Sequence, residues 1–344
     1  MTQSSEIVII KIGGSSITNK AIEETLNQDA IDWFAKLISF SVHKSFLFSD
    51  KDDDDDNDES KPKFVIIHGA GSFGHHSAKR YGLQCGKTAS ASPTTSTQHI
   101  ADEETNCTTS QKKRKRYQME ALSKTRHPVQ KLNAAMVGAL LDHGVNAVGI
   151  SPGVSLPGMR AYGSSTDNPS CSGSSVAAMD LLCESINEAL DVGLLPVIHG
   201  DACLLDDNRS AILGGDTLVE GLVSSEKMKN IVHKVIFISD IDGVFSADPK
   251  MNHDARLIRS LEVDIETGEV TIGNDEHVSE MDVSGSSHSH DVTGGLKGKL
   301  GAAVTAVQCG KEVVITKCCS ASAEKYVQGD ALSAEEGTII SKKS

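Results

Sequence analysis

The sequence predicts an α/β fold: a three-layer αβα sandwich around a mainly parallel central sheet. Three observations predict it. Short β-branched runs without polar alternation recur along the chain, as strands buried on both faces do. Helical patterns lie between them. Several runs end in glycine-rich turns, at the carboxyl edge where a ligand crevice is expected in such sheets.

In chain order the runs are Ile7–Ile12 (IVIIKI), Phe64–His68 (FVIIH), Asn146–Ile150 (NAVGI), Leu195–His199 (LPVIH), Val235–Ser239 (VIFIS) and Val313–Thr316 (VVIT). The helical patterns are Ala21–Val42, Val129–His143, Val176–Val192, Thr217–Ser224 and Leu300–Gln308. Three segments stand apart from this alternation. Asp50–Glu59 holds eight acidic residues in ten, Lys87–Arg116 runs from Ser/Thr-rich into the basic string Lys112–Arg116, and Ser284–His290 is small and polar. None offers enough apolar surface to offset the entropy of ordering, so all three are read as surface insertions. Lys112–Arg116 is compatible with a nuclear-localisation string but is read as a solvated loop, and His288 and His290 are read as loop residues rather than metal ligands.

The chain has 344 residues, 38% of them hydrophobic, with one Trp and four Tyr. It is read as one domain over 1–344, with two lobes dividing at about residue 200. The net charge of −14 argues against a nucleic-acid surface, which needs clustered Lys and Arg. No apolar stretch approaches the length of a membrane span. The eight cysteines form no C-x-x-C pair, although Cys318 and Cys319 are adjacent. A disulfide framework is therefore not expected, and the chain reads as cytoplasmic.

The chemistry sits in the turns. Lys11-Ile12-Gly13-Gly14-Ser15-Ser16 follows the first run, where paired glycines let backbone N–H groups approach phosphate oxygens. Lys20 follows nine residues after Lys11. His68-Gly69-Ala70-Gly71-Ser72-Phe73-Gly74-His75 follows the second run and feeds a helix start, a ready anion site. His75 adds a side chain able to donate to a phosphate oxygen. Two such turns on two strands point to two phosphate groups facing each other. Further on, Leu213-Gly214-Gly215-Asp216-Thr217 brings a carboxylate into a helix. Ser239-Asp240-Ile241-Asp242-Gly243 ends a strand in two carboxylates, which can hold Mg²⁺ through water or bond a ribose. Asp291–Lys299 (DVTGGLKGK) is another Gly-Gly turn opening a helix, with two lysines.

Together these motifs resemble the amino-acid kinase superfamily from Ile7 to Lys317. Within it the chain looks most like the isopentenyl phosphate kinase branch. The discriminating string is HGAGSFGHHSAKRYGL (68–83), supported by IKIGGSSITNK (10–20), PVIHGD (196–201), ILGGDTL (212–218), SDIDGVFSADP (239–249) and DVTGGLKGK (291–299). The resemblance implies ATP with Mg²⁺ as donor, an isoprenoid monophosphate as acceptor, and a homodimer. It implies that Lys11, Gly13, Gly14 and Ser15 cradle the ATP phosphates, with Lys20 near them. Ala70, Gly71 and His75 would hold the acceptor phosphate, Gly71 also lying near the nucleotide, and Gly200 would line the acceptor site. Asp216 would orient the lysines. Asp240, Gly243, Asp248 and Gly295 would border the nucleotide, and Lys299 rather than Lys297 would reach its phosphates. The residues lining the isoprenoid pocket are not assigned. Two other readings compete: a superfamily kinase acting on another phosphate such as uridylate, and a nucleotide-sensing module without turnover.

Overall fold

The computed structural model describes residues 6–47, 62–83, 107–152, 172–204, 210–247, 249, 252–273, 295–329 and 337–343. In order these form β1 (Ile7–Ile12), α1 (Gly14–Ile17), α2 (Gln28–Leu47), β2 (Lys63–His68), α3 (Gly71–Arg80), α4 (Cys107–Asp142), β3 (Ala147–Ile150) and α5 (Ser172–Asp191). There follow β4 (Leu195–His199), β5 (Asp201–Leu204), β6 (Ser210–Leu213), α6 (Gly215–Ser224), β7 (Val232–Ser239), β8 (Val244–Phe245) and β9 (Leu257–Ile258). The chain continues through β10 (Ser260–Val263), β11 (Val270–Ile272), α7 (Gly295–Gln308), β12 (Glu312–Lys317), α8 (Ala321–Gln328) and β13 (Thr338–Lys342).

Among the described residues nine strands make the central sheet, in the order β11-β10-β13-β12-β7-β1-β2-β4-β3. All six runs singled out in the sequence lie in it. The pairings from β12 through β7, β1, β2 and β4 to β3 are parallel. The antiparallel pairings, β12 with β13 and β10 with β11, lie at one side. β5 and β6 form a separate antiparallel pair, as do β8 and β9.

Strand alternation divides the core into two layers. Ile7 and Ile9 of β1 join Val65, Ile67, Val235 and Phe237 under α5, α6 and α7. Ile10 and Ile12 join Phe64, Ile66, Ile236 and Ile238 under α2, α4 and α8. Because side chains alternate along a strand, Lys11 follows Ile7 and Ile9 onto the α6 side. That placement decides what it meets.

Two helix starts differ most from the sequence reading, while α5, α6 and α7 begin two to five residues earlier than read. The pattern from Ala21 becomes helical only at Gln28, because residues 18–27 fold into a turn: Thr18 bridges Leu26, and Asn19 N–H donates to the Thr25 carbonyl. The expected helix from Val129 begins at Cys107 instead, with Pro128 inside it. Proline is best tolerated in a first helical turn, which is why the sequence places the start beside it. Good helix formers upstream, and burial of Ala121, Leu122 and Thr125, carry the helix through. The basic string Lys112–Arg116 is thus helical rather than looped, with Lys112, Lys115 and Arg116 exposed. The acidic run 50–59, residues 87–106 and the segment 284–290 lie outside the described residues.

Candidate active site

The glycine turns after β1 and β2 are packed back to back. A side chain on Gly14 would run into the backbone of Gly69 and Gly71, and one on Gly71 would strike Thr18 Oγ1 and the Gly14 carbonyl. Gly71 also sits at φ +50°, which favours glycine. Thr18 ties the turns together: its hydroxyl donates to the Gly14 carbonyl (2.7 Å) and accepts from Ser72 N–H (3.0 Å). Gly13 N–H donates to the Ile238 carbonyl of β7 (2.8 Å), so this amide holds the turn to the sheet. Gly14 and Ser15 then open α1, and Ala70 caps α3. His75 is the fifth residue of α3, just past its first turn, and it is half-buried. Helical side chains tilt toward the N-terminus, which carries it back along the turn.

A third strand end joins these two. Gly200 N–H donates to the His68 carbonyl (2.9 Å), pinning the end of β4 to the end of β2. A Cβ at Gly200 would lie 3.4 Å from Gly215 N and 3.8 Å from Ala70 N. The start of α6 therefore touches the turns that follow β2 and β4. Gly215 leaves room for the Lys11 stem, with a Cβ there falling 3.3 Å from Lys11 Cε.

Lys11 and Lys299 are both buried, at 7% and 8% exposure, and so need compensating charge. Lys11 Nζ meets Asp216 Oδ1 at 2.6 Å. Lys299, from the first turns of α7, donates to Ser239 Oγ at the end of β7. Burial first and the Lys11 charge second lower its pKa, Asp216 and Asp240 act in the opposite direction, and the outcome is about 8. Lys20 crosses from the β1 side to Asp240 at 3.0 Å. Burial opposes ionisation of Asp240, but the Lys20 hydrogen bond and charge outweigh it and hold the carboxyl below its usual range. Three ammonium groups thus face a common region, held by two carboxylates.

The remaining expected residues are placed less directly. Gly295 is the first residue of α7. Gly243 is buried against Thr338 and Leu257, and that packing alone accounts for a glycine there. Asp248 lies outside the described residues. Among the described residues no group of three or more His, Cys, Asp and Glu is placed to hold a metal ion. Among them, too, no helix is long and apolar enough to cross a membrane.

Sequence reasoning missed a buried polar layer behind the turns that follow β2 and β4. His68 and His199 pair across β2 and β4, and their rings stack at 5.9 Å. His68 contacts Asn133 Oδ1 of α4 through Nε2 (3.0 Å). Both imidazoles are pushed down to about 4, chiefly by burial, with the His199 neighbour also lowering His68 and the Arg126 charge also lowering His199 against its backbone hydrogen bond. Both are neutral near pH 7. Beside them Arg126 Nη2 meets Asp201 Oδ2 at 3.0 Å, both buried, and Ser151 Oγ accepts from Arg126 (2.9 Å) and donates to Asp201 (3.1 Å). The available signal was the repeat Ile67-His68-Gly69 and Ile198-His199-Gly200, two strands ending alike.

Turns of this kind at one sheet edge, with lysines from three elements, describe a phosphate-handling α/β site. Residues 6–317 match the amino acid kinase family, and the chain belongs to it. Among curated relatives, the isopentenyl phosphate kinase of Arabidopsis thaliana is 29% identical, covering 94% of this chain and 90% of its own. The isopentenyl phosphate kinase of Methanothermobacter thermautotrophicus is 26% identical over 98% of this chain and 100% of its own. A solved isopentenyl phosphate kinase structure superposes with a TM-score of 0.61 at 23% identity, covering 97% of this chain and 100% of that one. The product complex of the T. acidophilum enzyme gives 0.58 at 20% identity, over 97% and 99%. The two structural matches establish the shared fold.

Proposed function

We propose that the protein transfers the γ-phosphoryl group of ATP to isopentenyl phosphate, yielding isopentenyl diphosphate and ADP. One observation carries this reading: buried Lys11 and Lys299 converge, with Asp216, where the two glycine turns meet. Ligand-free, that cluster holds positive charge at a real cost, which a polyphosphate would relieve. The near-full-length relatives bearing the name isopentenyl phosphate kinase select the acceptor.

In this reading a phosphate oxygen of the acceptor attacks the γ-phosphorus in line, and the β-phosphate leaves with ADP. The acceptor is already anionic near neutral pH, so no strong base is needed. The protein's work is positioning and charge stabilisation. The first turn of α1 leaves its N–H groups, from Gly14 and Ser15, without intrahelical partners and available to ATP phosphates. Lys11 and Lys299 neutralise charge on the transferred group, while Asp216 aims Lys11. Lys20 approaches the same phosphates, and Asp240 positions Lys20. Ala70, Gly71, His75 and Gly200 hold the acceptor phosphate, and Gly295 borders the nucleotide. The described residues offer ammonium and amide groups rather than a carboxylate cage, so Mg²⁺ would arrive bound to ATP and add charge between its phosphates. Residues to about 200 form most of the acceptor side and 201–344 most of the nucleotide side, in a cytoplasmic homodimer.

The test is ADP release over a panel of isopentenyl phosphate, other alkyl phosphates, uridylate and glutamate. Isopentenyl phosphate is expected to give the highest kcat/KM. A higher value for uridylate or glutamate would overturn the acceptor assignment, and no ADP release with any acceptor would overturn the enzyme reading.

A further inference from the structure

Cys318 and Cys319 occupy the turn that leaves β12, at the carboxyl edge of the sheet beside β7. Their sulfurs lie 3.7 Å apart. Adjacent residues in an extended chain direct their side chains to opposite faces. Here Cys319 takes φ +59°, a left-handed conformation uncommon for a residue other than glycine, and both thiols come to one side. Cys319 is exposed and Cys318 half-buried. The turn is held by Ser320, whose hydroxyl donates to the Lys317 carbonyl (2.7 Å) and caps α8.

This turn is wired to the lysine cluster. Cys318 N–H donates to the Ser239 carbonyl at 2.7 Å. The Ser239 hydroxyl receives the Lys299 ammonium. Movement of the Cys318 amide therefore reaches Lys299 through a single residue.

We propose that Cys318 and Cys319 are a reversible dithiol modification site, oxidised to a vicinal disulfide by low-molecular-weight disulfides such as oxidised glutathione. Closure loosens the Ser239 contact and slows turnover. Cys319, the exposed member, attacks one sulfur of glutathione disulfide as its thiolate and releases one glutathione. The Cys318 sulfur then attacks the Cys319 sulfur of the mixed disulfide, forming the Cys318–Cys319 bond and releasing the second glutathione. Two electrons pass from the thiols to the oxidant, and the two thiol protons end on the two glutathione molecules.

Geometry sets the character of the site. Bridged cysteines ordinarily have Cα atoms about 4.4–6.8 Å apart, whereas adjacent residues are fixed at about 3.8 Å by the peptide. The closed ring is strained and easily reduced, as reversible disulfides are. Closing it must draw the sulfurs to about 2.05 Å and turn the Cys318–Cys319 peptide, which adjoins at the Cys318 Cα the peptide whose N–H donates to Ser239. Burial and the neighbouring Cys319 raise the Cys318 thiol pKa, which disfavours Cys318 as first attacker and matches the order given.

The effect on turnover rests on the proposed kinase reading; the modification itself does not. The full-length protein is equilibrated in reduced and oxidised glutathione, quenched by acid, and digested with trypsin. Peptide Cys318–Lys325 is weighed, and ATP turnover with isopentenyl phosphate is measured on the same samples. The expected result is loss of the mass of two hydrogens from that peptide, reversed by dithiothreitol. Turnover should fall at least about tenfold in step, and Cys319→Ser should keep its activity under the same oxidation. A peptide that keeps both thiols, or stops at a stable glutathione adduct, overturns the site. A closed disulfide with unchanged turnover overturns the coupling to Lys299. Should neither acceptor nor ATP be turned over in any state, the kinase reading fails while the peptide mass still decides the disulfide.

Discussion

Lys299 carries its charge against the cost of burial, and that gives it a pH signature. Its pKa is lowered to about 8, first by burial and then by Lys11. Below that value the ammonium is present; above it the charge is lost. The kcat/KM for ATP, which reports the free enzyme, should therefore fall as pH rises through about 8. Lys299→Arg, always protonated, should remove that fall even if its absolute rate is lower. An unchanged alkaline limb in the Arg variant would assign the titration elsewhere. His75 is the residue proposed to hold the acceptor phosphate. His75→Ala should lower kcat/KM for isopentenyl phosphate by ~10²-fold, or ~2.7 kcal/mol of transition-state stabilisation, and His75→Gln should retain part of it. Unchanged acceptor kinetics in the Ala variant would remove His75 from the site. At this scale the sequence was informative about glycines and lysines, because turn chemistry and charge are local properties. It was silent about Ser239 and Thr18, whose roles depend on which strands lie side by side.

Strand ends and helix starts act as units. The buried set of His68, His199, Asn133, Arg126, Ser151 and Asp201 joins α4 to the ends of β2, β3 and β4, directly behind Gly69, Ala70 and Gly200. Asp201→Ala would leave Arg126 buried without its carboxylate, a change that typically costs about 3–5 kcal/mol. Chemical denaturation of Asp201→Ala should show a loss of that order, with the acceptor KM rising more than the ATP KM. A loss below about 1 kcal/mol would mean that Arg126 finds other compensation. The sequence hid this layer because α4 looked shorter than it is. Pro128 reads as a start signal, whereas Arg126 lies before it, on a turn that tertiary burial stabilises. The small strands β5, β6 and β8 to β11 escaped notice for a related reason: runs of two to four residues carry too little period to separate from loops.

Across the whole molecule, one nine-stranded sheet places the lysines and the glycine turns along a single edge, with helices packed on both faces. The six core runs predicted this because fully buried strands need uninterrupted apolar residues, and that need is visible without a structure. The proposed phosphoryl transfer rests on electrostatic positioning by Lys11 and Lys299. Methionine at either position keeps the length of the stem and removes the charge, and it relieves the burial of an ammonium, so folding should survive. The direct measurement is kcat for isopentenyl phosphate in Lys11→Met and Lys299→Met, taken beside each melting temperature. A fall of at least about 10³-fold is expected in both, with Lys299→Met melting at or above the unaltered protein and Lys11→Met, which leaves Asp216 without its ammonium, melting lower while still folded. Turnover at the unaltered rate in folded variants would contradict it.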